Sequence, residues 1–503
     1  MHPQIAALDM LILAAYLLAV LGIGIWAGRG RRDLIGYVLA GKNMPWWALL
    51  GSIVATETST ATFLSVPGIS FQAGGDLRFL QLAVGFIIGR CLVAVWLLPS
   101  YFRGEILSAY ELLEIRFGVT AKRTASLLFL VARNLGDGLR LFLAALALEA
   151  AFEISLPLSV AVIGGVTIAY TLLGGMRSVI WNDCLQLVVY VAGGLAALAI
   201  ILDRLPGGSG QLWEFAVANE KLRWFRGAWD LSDPYTIWAG LIGGACLSLG
   251  THGTDQMMVQ RYLAARSRRD ATKALVLSGL AVFVQFSLFL GIGIALACFF
   301  DQFPPAVPIE SGDKAFAMFI VGQLPRGLVG LTLAAVFAAV MSTLASSLNS
   351  SAAVAINDFG PSRQAAVTGD QRVRWCQAAT IVFGVIQMGV ALAARYYSQS
   401  VVNDALAIAG FVGGILLGVF FVGLWAPRTG QTGVLLGMLG GAMAVLAVKL
   451  GTNLAWPWFT VVGFAVTFFL GWLTGFSRRK TGNDERHPNA ERQSEEERKS
   501  EPP

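Results

Sequence analysis

The stretch VATETSTATFLSVPG, residues 54–68, places polar side chains inside an otherwise apolar segment. It carries one carboxylate, Glu57, a terminal Pro67-Gly68 pair, and hydroxyls at Thr56, Thr58, Ser59, Thr60 and Thr62. An ionisable group within a bilayer is costly unless it is paired or hydrated, which makes it a functional candidate by default. Proline weakens a helix, and a broken membrane helix frees backbone carbonyls for binding. We therefore interpret the stretch as the unwound part of a membrane helix that lines a binding site.

The composition of the whole chain supports a membrane protein. Of 503 residues, 56% are hydrophobic and 14% are charged, whereas soluble domains carry roughly 25% charged residues. Apolar stretches of about 20 residues, enough to cross a bilayer, recur along the chain. The sequence predicts an all-α polytopic protein with about thirteen spans, at residues 8–28, 46–71, 79–102, 122–152, 155–174, 179–203, 235–262, 271–300, 325–357, 373–396, 402–426, 430–450 and 454–476.

Charge distribution predicts the orientation. The N-terminal segment has neither a basic region nor a small-residue cleavage site, so we interpret the first span as a retained helix. With alternating sides, about 25 Lys and Arg residues fall on one side and about 9 on the other. The positive-inside rule then places the N-terminus outside and the C-terminus in the cytoplasm, in the plasma (inner) membrane. Nucleic-acid binding is not needed to explain the basic clusters, and the polar tail at 477–503 is predicted to be disordered.

A second interrupted span suggests internal symmetry. Residues 243–256 read GGACLSLGTHGTDQ, which is rich in glycine and ends near His252 and Asp255. This span starts five helices after the span that contains residues 54–68. Paired broken helices in two halves are typical of inverted-repeat transporters, with the binding site at the interruptions.

Charged residues cluster on the fourth span, ARNLGDGLRLF at 132–142. Arg133, Asp137 and Arg140 share one helical face because they are three or four residues apart. One interpretation is a self-neutralising structural cluster, which suits Arg133 and Asp137. The other is a solute site, which is favoured for Arg140 and Glu57. An ion pair between Glu57 and Arg140 would serve either interpretation.

Hydroxyls cluster in FAAVMSTLASSLNSSAAVAINDF, residues 337–359. Small residues let helices pack closely, so packing alone is one explanation. The other is a site for an alkali cation, in which Ser342 and Thr343 join carbonyls freed within 54–62. The chain contains no HExxH, Walker, GxSxG or DxDG-type motif, and its five cysteines form no CxxC pair. These features indicate a non-enzyme without a resident cofactor or metal cluster.

Four stretches together resemble the sodium:solute symporter family over about residues 8–476. They are residues 54–68, LPSYFRGEILSAYELLEIRFG at 98–118, GGMRSVIWNDCLQ at 174–186, and GTDQMMVQRYLAA at 253–265 taken with 337–359. The resemblance implies a LeuT-like core of two inverted five-helix repeats, at about 46–203 and 235–426. One extra helix at 8–28 precedes the repeats, and further helices at 430–476 follow them. It also implies sodium-driven symport by alternating access.

The resemblance further implies particular sodium ligands. They are the carbonyls of Ala55, Thr58 and Ala339 and the hydroxyls of Ser342 and Thr343. Thr343 stands where the family usually has serine and keeps the oxygen. Some members bind a second sodium, for which Asp183, Ser342 and Ser346 match here. Ala345 stands where another serine would help, which puts the second sodium in doubt.

Solute residues implied by the resemblance are Glu57, Ser59, Thr62 and Gln81. Glu57 departs from the family, whose members usually have a neutral residue there. The arginine that binds a carboxylate in sialic acid members aligns with Gly136, and Arg140 lies one turn away. We therefore expect a small polar solute such as a sugar, sugar acid, amino acid or other carboxylate, and no specificity for sialic acid itself. The expected partners are Na⁺, this solute and lipid, without an obligate protein partner.

Three alternatives stay open from the sequence. A proton-coupled transporter would use Glu57 as the titrating group, and its uptake would follow pH and not sodium. A membrane sensor would bind solute without moving it, although the short tail leaves little room for a signalling domain. A channel would conduct passively and would not concentrate its solute.

Overall fold

The computed structural model describes residues 6–29, 33–104, 106–152, 154–305, 308–309, 312–360, 368–397 and 401–477. The predicted tail lies outside these ranges beyond Ser477. The helices are α1 Ala7–Gly28, α2 Leu34–Leu39, α3 Trp46–Glu57, α4 Thr60–Phe71, α5 Leu80–Leu92, α6 Leu98–Tyr101, α7 Glu111–Phe117, α8 Val119–Phe152, α9 Leu156–Arg204, α10 Gly208–Ala218, α11 Ala245–Thr254, α12 Gln256–Leu263, α13 Arg268–Gln302, α14 Gly312–Gln323, α15 Leu328–Val354, α16 Gly369–Tyr397, α17 Val401–Trp425, α18 Gln431–Gly451 and α19 Pro457–Ser477. The all-α prediction is confirmed.

Many of these helices suit a bilayer. Within the described ranges, nine helices are long and apolar enough to span it, and the bent pair α3 and α4 would make a tenth. The protein is thus an integral membrane protein, while the count of about thirteen spans stays a prediction. A straight helix with the 49 residues of α9 would be about 74 Å long, far more than a bilayer core. α9 instead breaks at Gly175 (φ 55°, ψ −147°), between the two spans predicted there.

Both predicted interrupted spans are broken, and the first break lies within the stretch predicted to be unwound. Thr58 and Ser59 separate α3 from α4, whereas Pro67 lies inside α4. The break thus lies within 54–62, where freed carbonyls were expected, and Pro67 and Gly68 take no part in it. The amide of Ser59 donates to Thr62 Oγ1 (3.4 Å) and not to the carbonyl four residues earlier. In the second span, Asp255 is extended between α11 and α12, and its carboxylate accepts from the Met257 amide (2.8 Å).

Helix α15 lies at the centre of the molecule. Every residue from Thr332 to Val354 is buried, which explains its lack of a polar face. Its run of Ala and Ser allows α9, α3 and α1 to approach closely. By contrast, only about a third or less of the apolar stretch of α16, α18 and α19 is buried, as expected for helices that face lipid. The polar residues of α15 are therefore held against the first break.

Candidate solute and sodium sites

A cavity of about 180 Å³ lies where the two broken helices meet. Four parts of the chain line this cavity. They are the first break with Thr56, Glu57 and Ser59, the second break with His252, Thr254 and Asp255, α8 with Arg133, Gly136 and Arg140, and α17 with Val412, Gly413 and Leu416. Both interruptions predicted from sequence thus open on one space. The cavity combines apolar walls with a few charged groups, as is usual for a small-molecule site.

Glu57 forms an ion pair with Arg90, and its Oε2 also lies 3.6 Å from His252 Nε2. Arg90 is fully buried, while about a fifth of the Glu57 side chain is exposed. The suggested pair between Glu57 and Arg140 is wrong. Arg140 instead pairs with Asp137, which lies one turn away on the same helix.

The charges around the cavity balance. Arg133 pairs with Asp255 across helices and lies 3.5 Å from Asp137 Oδ1. Among the described residues, the charged groups that line the cavity are Glu57, Arg133, Arg140 and Asp255. With their buried partners Arg90 and Asp137 they make three carboxylates and three guanidinium groups. The α8 cluster of Arg133, Asp137 and Arg140 is thus neutralised with the help of Asp255 from the second break, and not by itself, and its two arginines line the cavity. Asp137 Oδ2 is buried with no hydrogen-bond partner among the described residues.

Of the predicted solute residues, the structure brings Glu57, Ser59 and Arg140 to the cavity. Gln81 and Thr62 are not among the lining residues. Both ends of the Gln81 amide are bound to backbone: Nε2 donates to the Tyr235 carbonyl (2.7 Å), and Oε1 accepts from the Arg226 amide (3.2 Å). Gln81 thus holds the loop before α11, and this contact between distant segments is invisible in the sequence.

The segments predicted to share a sodium ion are in contact. Thr343 Oγ1 donates to the Thr56 carbonyl (3.1 Å) and lies 3.3 Å from the Ala339 carbonyl. Because the Ser59 amide bonds Thr62, the Ala55 carbonyl loses the partner that a continuous helix would give it. The Ser342 hydroxyl donates to Asp183 Oδ1 (2.5 Å), so its lone pairs remain free to bind a cation. These contacts join α3 and α15 in the segments that contain the predicted ligands Ala55, Thr58, Ala339, Ser342 and Thr343.

The residues predicted for a second sodium surround a guanidinium group instead. Arg261 Nη2 donates to Asp183 Oδ2 (2.9 Å) and to the hydroxyl of Ser346. Its Nε donates to Ser52 Oγ (2.8 Å). Both charged side chains are 1% exposed. Arg261 belongs to the VQRYLAA stretch, but sequence alone could not show that it reaches Asp183, 78 positions away.

Sequence reasoning also missed Arg90 and His252 as partners of Glu57. The available signal was their location: an arginine inside the third span, and a histidine beside the second interruption. A polar side chain inside the membrane needs a polar partner, so both residues should have one. Only the three-dimensional structure shows that this partner is Glu57.

Two broken helices that meet at a charged cavity are the arrangement of secondary transporters of the LeuT-like fold. The model of the family described as "SSF: Sodium:solute symporter family" matches residues 37–441. The chain belongs to this family, and it is a transporter and not an enzyme. Na⁺ is the coupling ion of such symporters and not a resident cofactor.

Individual relatives extend over nearly the whole chain. The sodium/sialic acid symporter NanT of Aliivibrio fischeri is 30% identical over 475 residues, covering 93% of this chain and 92% of NanT. The human sodium/iodide cotransporter is 28% identical, covering 91% of this chain and 72% of its own length. A solved structure of a substrate-bound, outward-open Na⁺-coupled sialic acid symporter matches with a TM-score of 0.86 at 27% identity, covering 93% of this chain and 98% of that one.

Proposed function

We propose that this symporter imports a small carboxylate-bearing solute together with sodium. The observation that carries the proposal is Arg140, which lines the cavity and has only its Nη1 engaged, with Asp137, among the described residues. Its remaining N–H groups can bind a carboxylate in the planar geometry that guanidinium favours. Glu57, on a different helix, offers an acceptor to a hydroxyl or ammonium group of the same solute. Sugar acids, amino acids and simple hydroxy acids have this combination.

The relatives named above support an anionic solute, since sialic acid and iodide are both anions. Their substrates differ widely in size, however, and Gly136 stands where the resemblance expects the sialic acid arginine. Specificity for another carboxylate fits these residues better than specificity for sialic acid.

Sodium would bind at the junction of α3 and α15, with Ala55, Thr58, Ala339, Ser342 and Thr343 as ligands. By joining the two helices it orders the break at Thr58 and Ser59, whose neighbours line the solute cavity. Sodium occupancy and solute affinity are thereby coupled. Alternating access then follows from movement of the repeats, about 46–203 and 235–426, around the shared site.

The ion pair of Glu57 with Arg90 favours sodium coupling over proton coupling. The Glu57 carboxylate is already engaged by the Arg90 guanidinium, so it is a paired charge and not a free proton carrier. Proton coupling by Glu57 would require this pair to open.

Uptake into proteoliposomes tests the function. An inward sodium gradient should drive accumulation of at least one compound from a panel of sugar acids, amino acids and hydroxy acids, and a potassium gradient should not. The double variant Ser342→Ala with Thr343→Ala should abolish this uptake. Ser350→Ala is the matched control, because its hydroxyl donates to the Ser347 carbonyl within α15. Uptake that ignores sodium, or survives the double substitution, would contradict the proposal.

The orientation in the plasma (inner) membrane is part of the proposal. Excess Lys and Arg on one side of the predicted spans supports an outside N-terminus and a cytoplasmic C-terminus. A C-terminal tag should be cut by protease in inverted vesicles and protected in intact cells. The reverse pattern would invert the assignment of all loops.

A further inference from the structure

The environment of Asp183 differs from a second sodium site. Both oxygens of its buried carboxylate are bonded: Oδ1 by Ser342, and Oδ2 by Arg261, Ser52 and Thr56. The Arg261 guanidinium also donates to the hydroxyls of Thr56 and Ser346 and, through Nη1, to the Met257 carbonyl (2.6 Å). Of the oxygens predicted for the second sodium, Asp183 Oδ2 and the Ser346 hydroxyl already accept N–H bonds from Arg261, and Asp183 Oδ1 accepts from Ser342.

We propose that Arg261 is a built-in cation that replaces the second sodium, so that one sodium accompanies each solute. This inference rests on the proposed function, because it takes the junction of α3 and α15 as the site of that single sodium.

The charge balance around Asp183 supports this replacement. Asp183 and Arg261 neutralise each other in a region that is closed to solvent. A sodium ion added there would be a buried charge without a counter-ion, which a low-dielectric interior strongly disfavours. A sodium ion in the place of Arg261 would require the guanidinium to break all its bonds to three other helices and leave.

The ligand set supports it independently. Ala345 has no oxygen at the position where a serine would complete the second site. A guanidinium does not need that oxygen, because its donors are directed at Ser52, Thr56, Asp183 and Ser346 and none of its nitrogens lacks a partner among the described residues. The site therefore suits a planar donor group better than a spherical ion.

The position of Arg261 gives the replacement a consequence for transport. Arg261 lies on α12, the short helix after the second break, while its partners lie on α3, α9 and α15. A tethered cation supplies positive charge and crosslinks these helices, but it does not equilibrate with either side of the membrane. It therefore contributes nothing to the coupling ratio.

The experiment removes the guanidinium and measures sodium binding directly. Arg261→Gln leaves Asp183 without a counter-ion, so a second sodium should bind there. In purified protein, the dependence of the melting temperature on sodium should change from about one bound ion to about two. In proteoliposomes, the ratio of sodium to solute taken up, and the Hill coefficient for sodium, should rise in the same way.

Two control variants separate charge from structure. Arg261→Lys keeps the positive charge, and Arg261→Gln combined with Asp183→Asn removes both charges. Both should bind one sodium, like the unaltered chain. If Arg261→Gln is unstable without sodium, sodium should restore its folding and choline should not, whereas the doubly neutral variant should fold in either salt.

Several results would overturn the inference. One is a ratio of two sodium ions per solute in the unaltered chain. Another is a ratio of one sodium ion per solute in well-folded Arg261→Gln. A third is instability of Arg261→Gln that sodium does not correct, although the variant with both substitutions folds. Uptake without any sodium dependence would instead refute the proposed function. The melting measurements on Arg261→Gln would still test the inference, because they require no transport.

Discussion

Glu57 carries two tasks at once. It lines the cavity, and it is the partner of Arg90, whose Nε and Nη1 have no hydrogen-bond partner among the described residues. His252 lies beside the pair and places its Nδ1 3.0 Å from the Tyr262 hydroxyl. The carboxylate that departs from the family pattern is therefore explained structurally by a buried arginine, and the solute contact proposed for it would be an additional role.

Glu57→Gln should destabilise the protein, because it leaves the buried Arg90 charge uncompensated, a change that typically costs about 3–5 kcal/mol. Adding Arg90→Met removes the orphan charge and should restore much of the stability, so the two effects will not add. Thermal unfolding of the single and double variants in detergent measures this. Equal unfolding temperatures for Glu57→Gln and the unaltered chain would show that the ion pair between Glu57 and Arg90 does not stabilise the fold.

Arg140→Gln should weaken solute binding and leave sodium binding intact. Losing a charge-assisted hydrogen bond costs roughly 1.5–3 kcal/mol, which corresponds to a rise in solute KM of about tenfold to a hundredfold. The stability loss should be small, because Asp137 keeps Arg133 as a neighbour. Uptake measured against solute concentration, and then against sodium concentration, separates the two constants. A rise in the sodium constant alone would place Arg140 outside the solute site.

The breaks in the helices show how far sequence can predict this fold. Apolar length and polarity within 54–68 predicted a broken helix, and the break lies within that stretch, but Pro67 takes no part in it. α4 accommodates Pro67, and the real break follows from the local hydrogen bond between Ser59 and Thr62. The roles of Gln81 and Arg261 depend on partners about 80 to 150 positions away, and a single sequence contains no record of such contacts.

The loop after α10 holds the C-terminal end of α4. Lys221 is 4% exposed, and its ammonium donates to the carbonyls of Ser70 (2.8 Å), Phe71 (3.1 Å) and Gln72 (2.6 Å). A cation at the C-terminus of a helix satisfies its last carbonyls and opposes the helix dipole. This contact fixes the half of the broken helix that begins at the candidate sodium junction.

Lys221→Met should loosen α4 and lower the affinity for sodium. The loss of its contacts is expected to cost about 1–2 kcal/mol locally, so the sodium constant should rise severalfold. Hydrogen exchange should increase in residues 60–72. Arg223→Met is the control in the same loop, because Arg223 is largely exposed and pairs only with Glu220 among the described residues. Identical exchange in the two variants would argue against a role for the Lys221 cap.

At the scale of the whole molecule, the sequence predicted the membrane class, the two interrupted helices and the family. These depend on length, hydropathy and short motifs, which are properties of local sequence. It did not predict which charges pair, since the expected partner of Glu57 was Arg140 and the actual partner is Arg90. Pairing in the core depends on how helices from both halves of the chain pack around α15.

The three balanced ion pairs at the cavity have a consequence for the electrical behaviour of the carrier. An empty cavity of zero net charge crosses the membrane field without electrical work when the carrier resets. A loaded carrier with one sodium and one monovalent carboxylate is also neutral, so the membrane potential should not affect its uptake. With a zwitterionic solute, the loaded carrier would keep the single positive charge of the sodium ion. Moving that charge across the membrane is worth about 2.3 kcal/mol per 100 mV, which corresponds to roughly fifty-fold accumulation of the solute. Uptake measured with and without a valinomycin-imposed potassium potential thus reports the charge of the natural solute: indifference to voltage indicates an acid, and strong voltage dependence indicates a zwitterion or a neutral sugar.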